Sequence, residues 1–293
     1  MNFDTFSFES KLFKTIEKYR LIKNGDVIFV GLSGGKDSIT TLRILQKYVE
    51  NSSIKAKITG FHLNLGFDYS DELENFVKEI CVNFNIECII SKVRDFNLNL
   101  QQVSKYKRRP VCSICGQVKR YLMNKIPRDN GATKFATGHH LDDFLIFYMK
   151  NFIYKNFEWS FKILPKVKSS NPKLLTKIRP LIFASNEEIK NYVRSQNLPT
   201  FPKACPYSLG GGCFTDPKTL KFREVIEKAN GIVDNFKQEM MYSIITFNNK
   251  FASKLTREDN LKFCSLCGEP TSNEVCAFCR LIDLSKKLAN RSV

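Results

Sequence analysis

Three groups of residues in this chain are of types and spacings that do chemistry. The first is Gly31-Leu32-Ser33-Gly34-Gly35-Lys36-Asp37-Ser38. Gly34 and Gly35 carry no Cβ, so backbone N–H groups there can approach a phosphate. A helix starting at this point adds unpaired N–H groups and a partial positive charge. Lys36 supplies a mobile cation, Ser33 and Ser38 supply hydroxyl donors, and Asp37 can orient the loop or help hold Mg²⁺. The Walker spacing G-x-x-x-x-G-K-[ST] is absent, which argues against an ordinary P-loop NTPase. The six residues from Ser33 to Ser38 together predict a phosphate cradle.

The second group is Cys112-Ser-Ile-Cys115, with Cys205 far along the chain in Ala-Cys-Pro-Tyr207. Arg108, Arg109, Lys119 and Arg120 surround the pair and favour thiolates by Coulomb attraction. A redox dithiol, a zinc half-site and iron–sulfur ligation all remain open for the pair alone. Three thiolates leave one coordination position free, which suits catalysis better than structure. The third group is Cys264-x-x-Cys267 and Cys276-x-x-Cys279, separated by eight residues that include Gly268 and Pro270. Four thiolates at this spacing predict a closed tetrahedral Zn²⁺ site. Cys81 and Cys88 read as core residues, and Cys213, in a glycine loop, as a spare sulfur of open role.

These groups need elements to position them. The apolar run 26–30 predicts a strand feeding the glycine loop, and Ile39, Leu42, Ile44 and Leu45 predict the helix after it. Residues 57–65, 86–90 and 134–138 read as further strands. Residues 70–84 and 114–129 read as helices, and another helix should start near His140. Strand and helix alternate, so the expected fold is α/β with a Rossmann-like parallel sheet covered on both faces. Past residue 155 the pattern loosens to a short strand at 178–182, a helix at 186–196, and one or two helices in 217–250. The expected divisions are an N-terminal helix (1–24), the phosphate-binding domain (25–215), a helical extension (216–257) and a C-terminal zinc module with a basic tail (258–293).

The chain has 293 residues, 46 Lys and Arg against 29 Asp and Glu, and a formal net charge of +17. That excess points to a polyanionic partner, most simply nucleic acid. Lys105-Tyr-Lys-Arg-Arg109 is the best RNA-facing candidate, with Tyr106 available to stack on a base. Lys162, Lys166, Lys168, Lys173, Lys177 and Arg179 form a second basic stretch. No apolar run approaches the ~18–20 residues of a membrane helix, and the first residues do not read as a secretory signal. A cytoplasmic location with reduced thiols is expected.

Ser33-Gly-Gly-Lys-Asp-Ser38 resembles the PP-loop of the N-type ATP pyrophosphatases, of the HUP fold type. With C-S-I-C-G-x-x-K-R-Y, Gly138-His-His-Leu-Asp-Asp143 and the late C-P-Y, the chain resembles the tRNA 2-thiolation enzymes of the TtuA and TtcA type. The resemblance implies ATP and Mg²⁺ on the loop, with His62 and Asn64 bordering adenine or ribose and Gly138 and His139 against the nucleotide. It implies a [4Fe–4S] cluster on Cys112, Cys115 and Cys205 with one iron not bound by protein, and Lys119 and Asp143 as catalytic residues. The implied reaction adenylates the C2 oxygen of a uridine or cytidine in tRNA, releases pyrophosphate, and replaces that oxygen with sulfur. Lys36 and Lys119 would neutralise phosphate charge, and sulfide on the open iron would attack C2. The sulfur donor is sulfide or a thiocarboxylated sulfur-carrier protein. A cluster-free persulfide relay, and a PP-loop ligase adenylating a different acceptor, are the alternatives; a homodimer is left open. Residues 1–25 hold no cysteine, so the N-terminal zinc finger usual in the TtuA branch is lacking and the target nucleoside is not fixed.

Overall fold

The computed structural model describes residues 3–168, 171–207, 217–255 and 261–290. Asp4 caps α1 (Thr5–Lys18) by accepting a hydrogen bond from the Ser7 backbone N–H, as short acidic N-caps do. Then come β1 (Val27–Gly31), α2 (Lys36–Glu50), β2 (Lys57–Asn64), α3 (Ser70–Asn83) and β3 (Glu87–Lys92). A 3-10 turn (Val93–Phe96) leads to α4 (Leu100–Lys107) and α5 (Val111–Asp129). β4 (Lys134–Ala136), α6 (Leu141–Ile153), α7 (Phe157–Ser160), β5 (Lys166–Val167) and β6 (Thr176–Ile178) follow. α8 (Asn186–Ser195), α9 (Pro217–Ile232) and α10 (Phe236–Leu255) precede a hairpin of β7 (Lys262–Phe263) and β8 (Pro270–Thr271), and α11 (Ala277–Ala289) closes the chain.

The main sheet runs in the order β3-β2-β1-β4-β6-β5. β1 pairs parallel to β2 on one side and β4 on the other, so the phosphate loop leaves the sheet centre at its C-terminal edge. That is where open α/β sheets place their ligands. Alternation along β1 sends Ile28 and Val30 into a cluster with α1, α2, α3 and α8, and Phe29 into a second cluster with α4, α5 and α11. Both faces are therefore buried, as parallel sheets require. A third cluster joins Leu141, Phe144 and Leu145 of α6 to Ile226 of α9 and to Met241 and Ile244 of α10.

The expected α/β architecture is present, with three corrections. The sheet is not parallel throughout, because β5 runs antiparallel to β6 at the edge. The strand expected at 178–182 lies at 176–178. Pro180 has no N–H to give a ladder, and the chain turns there instead. α4 is an element the sequence reading left out.

Two buried carboxylates, each paired with lysine, anchor the sheet. At the end of β1 away from the loop, Lys134 pairs with Asp26 and also donates to the Leu21 carbonyl at 2.9 Å. On α3, the Glu74 carboxylate accepts from Lys78 at 2.7 Å and from Asn64 at 2.8 Å, with Lys92 at 3.0 Å. Burial would raise the Glu74 pKa, but the hydrogen bonds from Lys78, Asn64 and Lys92 outweigh it and hold it at about 2, against a usual 4.5. A depressed carboxyl contributes stability above its unfolded pKa, so this contribution is lost as pH falls from about 4.5 to about 2. Glu74→Gln should cost ~1–3 kcal/mol at pH 7 and flatten that acid limb, as melting temperatures measured across the range will show.

Candidate active site

The phosphate loop is shaped at Gly34 by a conformation and contacts that only glycine permits. Gly34 has φ +75°, and a Cβ there would lie 2.4 Å from Leu73 Cδ1 and 3.0 Å from Phe201 Cβ. Gly35 caps α2 without a side-chain hydrogen bond, so the first turn is left for an anion. Ser38 Oγ donates to the Gly35 carbonyl at 2.9 Å and accepts from the Ser33 N–H at 3.2 Å, which folds the loop back on the helix. Lys36 Nζ sits 2.5 Å from Asp37 Oδ1. Gly34→Ala combines the left-handed penalty of ~1–2 kcal/mol with the Leu73 clash. ATP affinity should fall at least about tenfold, which corresponds to ~1.4 kcal/mol, and titration calorimetry will measure it.

The N-terminus of α6 lies against this loop. A Cβ on Gly138 would meet the Asp37 carbonyl carbon at 2.8 Å and the Ser38 nitrogen at 2.9 Å. Gly138 therefore lets the two helix starts touch. His139 is exposed, with its ring 5.8 Å from Phe144. His140 is buried, with Nε2 3.8 Å from Asp37 and 3.6 Å from Asp143. Burial works against its protonation, yet the carboxylates of Asp142, Asp143 and Asp37 outweigh that and raise its pKa.

Asp142 and Asp143 separate in role. Asp142 is buried and accepts from Lys237 Nζ at 2.7 Å and from the Asn186 N–H at 2.7 Å. Burial alone would raise it, but His140, Lys237 and the Asn186 N–H hold it well below the usual carboxylate range. It ties α6 to α8 and α10. Asp143 keeps one oxygen on the His140 N–H at 3.2 Å and is the more open of the two.

At the end of β2, His62 is buried, its Nδ1 2.8 Å from the Leu32 carbonyl and its Nε2 without a protein partner among the described residues. Burial lowers its pKa, and Lys119 is close enough to lower it further. Lys119 on α5 is thus an electrostatic neighbour of His62 at the end of β2. Asn64 is committed to the protein: its amide donates to Glu74 at 2.8 Å and Asp71 at 2.9 Å, and its oxygen accepts from the Gly66 N–H at 3.0 Å. It shapes the strand end.

The cysteine groups lie on the same side. Cys112, Cys115 and Lys119 recur at helical spacing along α5 and form one stripe. Residues 201–207 bring the third cysteine to them. The Phe201 N–H donates to the Gly34 carbonyl at 2.9 Å, and Cys112 Sγ donates to the Tyr207 carbonyl at 3.2 Å. Between these anchors, Cys205 packs against the cluster that holds buried Cys115. The Tyr207 ring lies 5.1 Å from Phe67, and its hydroxyl accepts from Gln101 at 2.7 Å. All three cysteines are free thiols. By donor chemistry, three free thiols are the soft ligands that iron–sulfur clusters take.

The sulfurs of Cys264, Cys267, Cys276 and Cys279 all lie within 4.8 Å of one another, the only such group of metal-capable residues among the described residues. Cys267 and Cys276 are 3.7 Å apart. Tetrahedral Zn–S bonds of ~2.3 Å would set sulfurs ~3.8 Å apart, so the group fits Zn²⁺. Phe278 stacks on Tyr121 of α5 at 4.0 Å and 13°, and Arg128 grips Glu269 at 2.8 and 2.6 Å. The module thus braces the helix that carries Cys112, Cys115 and Lys119.

Sequence reasoning missed Phe201, Tyr207 and Lys237, whose roles depend on partners far away in the chain. Of these only Tyr207 carried a local signal, beside Cys205-Pro206. Cys81 and Cys88 do sit in one core cluster. Cys213 lies outside the described residues. Among the described residues no helix is long and apolar enough to cross a membrane.

The comparisons with known proteins agree with this geometry. A family model described as a PP-loop domain matches residues 5–201. The chain is 33% identical over 286 residues to the tRNA-5-methyluridine(54) 2-sulfurtransferase of Pyrococcus horikoshii, covering 96% of this chain and 86% of that one. It is 28% identical over 234 residues to the tRNA-cytidine(32) 2-sulfurtransferase of Pelobacter propionicus, covering 79% and 82%. In fold it is similar to the U34-tRNA thiolase NcsA from Methanococcus maripaludis, solved with its [4Fe-4S] cluster, at a TM-score of 0.77 and 22% identity over 96% of this chain and 89% of that one. With its central strands, glycine loop and flanking helices all inside the matched span, the chain belongs to the PP-loop domain family.

Proposed function

We propose that this protein is an ATP-dependent tRNA 2-sulfurtransferase, which adenylates the C2 oxygen of a uridine or cytidine and replaces it with sulfur. The observation that carries this reading is the segment 201–207, which joins the Gly34 carbonyl at one end to Cys112 at the other. One short stretch of chain couples the phosphate loop to the first of the cysteines.

The residues divide the work as follows. The N-terminal turn of α2, Ser33, Ser38 and Lys36 hold the phosphates of ATP, and Asp37 helps hold Mg²⁺. Lys36 and Lys119 offset the charge that develops as pyrophosphate leaves. His139 and Asp143 face the nucleotide, and Gly138 allows the approach of the two helix starts. Cys112, Cys115 and Cys205 hold a [4Fe–4S] cluster, which when bound supplies an open coordination position for sulfur. Cys264, Cys267, Cys276 and Cys279 hold Zn²⁺. The sulfur donor is sulfide or a thiocarboxylated carrier protein.

The deciding experiment is anaerobic incubation of the iron-loaded protein with unmodified tRNA, Mg-ATP and sulfide, followed by nucleoside mass spectrometry. A 2-thionucleoside that requires both ATP and tRNA is the expected result. Absence of any thionucleoside, with iron and acid-labile sulfide intact, would overturn the reading.

A further inference from the structure

One surface is used neither by the fold nor by the site described above. At the end of α6 and along α7, Phe152 (56%), Tyr154 (46%), Phe157 (45%) and Trp159 (57%) are all exposed. Phe152 and Phe157 join Tyr148 in a connected shelf, the rings of Tyr148 and Phe152 stacking at 5.8 Å and Phe157 meeting Phe152 edge-on at 5.5 Å, and the exposed Trp159 follows two residues after Phe157. Exposed large aromatics in such a group mark a binding surface.

The surroundings are cationic. Residues 147–168 hold five lysines against one glutamate, Glu158. Lys162 Nζ lies 5.2 Å from the Trp159 ring centroid. Arg179 fixes this lysine's backbone, donating to the Lys162 carbonyl at 2.7 Å and the Leu164 carbonyl at 2.9 Å. Lys177 on β6 is exposed. Arg179, Arg120 and Lys162 are its charged neighbours, so cations lie both beside the shelf and on α5. The other end of α6 touches the phosphate loop through His140 and Asp37, ~20 Å away at 1.5 Å per helical residue.

Flat aromatic faces flanked by cations suit an unpaired base and its phosphates. We propose that the shelf at Trp159 is a tRNA-docking surface: an unpaired base stacks on it, and Lys162, Lys177 and Arg120 carry the phosphate backbone toward the cysteine site. The inference rests on the sulfurtransferase reading for the identity of the RNA. A protein partner fits the patch less well, because protein–protein interfaces are depleted in lysine.

Trp159 is the single tryptophan of the chain, so intrinsic tryptophan fluorescence reports on this shelf alone. Titration of the full-length, metal-loaded protein with unmodified tRNA should give saturable quenching that weakens as salt rises. Filter binding on the same samples measures affinity independently. Trp159→Ala should weaken tRNA binding about tenfold, the scale of one lost base–aromatic stack, with ATP affinity and melting temperature unchanged. Lys162→Gln should reduce the salt slope by about 1. Retention of tRNA on the filter with silent Trp159 fluorescence, or full affinity in Trp159→Ala, would overturn this inference alone and leave the shelf to a protein partner. Failure of the wild-type protein to retain tRNA at low salt would overturn it together with the function proposed above.

Discussion

Cys115→Ser will bring 2-thionucleoside formation down to background, a loss on the order of a thousandfold or more, while ATP affinity stays within about twofold. The expectation follows from ligand chemistry. A serine hydroxyl is a hard, rarely ionised donor, whereas iron–sulfur ligation needs a thiolate. Cys115 is buried in the cluster against which Cys205 packs, so no water can take its place at low cost. The phosphate loop makes its contacts through other residues, which is why nucleotide binding survives. The same substitution separates two chemistries. If the three cysteines hold a cluster, Cys112→Ser, Cys115→Ser and Cys205→Ser will each lower iron content and visible absorbance together. If they relay a persulfide, the wild type will hold no iron at this site, and thiolation will persist after iron is removed. Nucleoside mass spectrometry with iron analysis on the three variants reads both outcomes.

The second large effect is expected away from the chemistry. Cys276→Ser, or treatment with a strong zinc chelator, should unfold the C-terminal module and inactivate the enzyme with it. Cys276 is buried, caps α11 by accepting from the Cys279 N–H at 3.4 Å, and donates its own N–H to Cys264 Sγ at 3.2 Å. β7 and β8 have two residues each, too little to stand without a staple. Structural Zn²⁺ in finger peptides contributes apparent binding of ~10–16 kcal/mol at pH 7, and that energy is the folding energy of such a unit. Loss of the module strips Phe278 from Tyr121 and Glu269 from Arg128 on α5. It also removes the Ser285 hydroxyl that accepts the Asn99 N–H, 3.2 Å away, at the start of α4. The helix that positions Cys112, Cys115 and Lys119 then loses one wall. Hydrogen exchange should show new opening in α4 and α5, and thiolation should fall at least tenfold. Unchanged exchange in α5 after metal removal would disprove the bracing role.

Much of the architecture was legible before any coordinates. Glycine pairs, hydrophobic period and cysteine spacing act within a few residues, so Ser33–Ser38, the stripe Cys112–Cys115–Lys119 and the Cys264–Cys279 module were readable as local patterns. β5 was not, because two residues at a sheet edge carry no periodicity to detect. Asp142 and Asp143 are chemically alike and adjacent, and the resemblance alone singled out Asp143. Packing distinguished them physically, by setting Lys237 against one and leaving the other more open.

The sequence by itself determined the phosphate-binding loop, the alternating α/β order, both sets of cysteines and the cationic excess. Only folding brings the phosphate loop and Cys112 to the same segment of chain. Phe201 to Tyr207 meets Gly34 and Cys112 because the chain crosses the sheet edge after α8, a contact between residues 95 positions apart at its cysteine end. The same folding brought the Arg179 guanidinium to the Lys162 carbonyl, 17 positions away in the chain. Such meetings depend on strand order and on which face each helix covers. Those are properties of the whole chain's packing, and they are not encoded within any single segment.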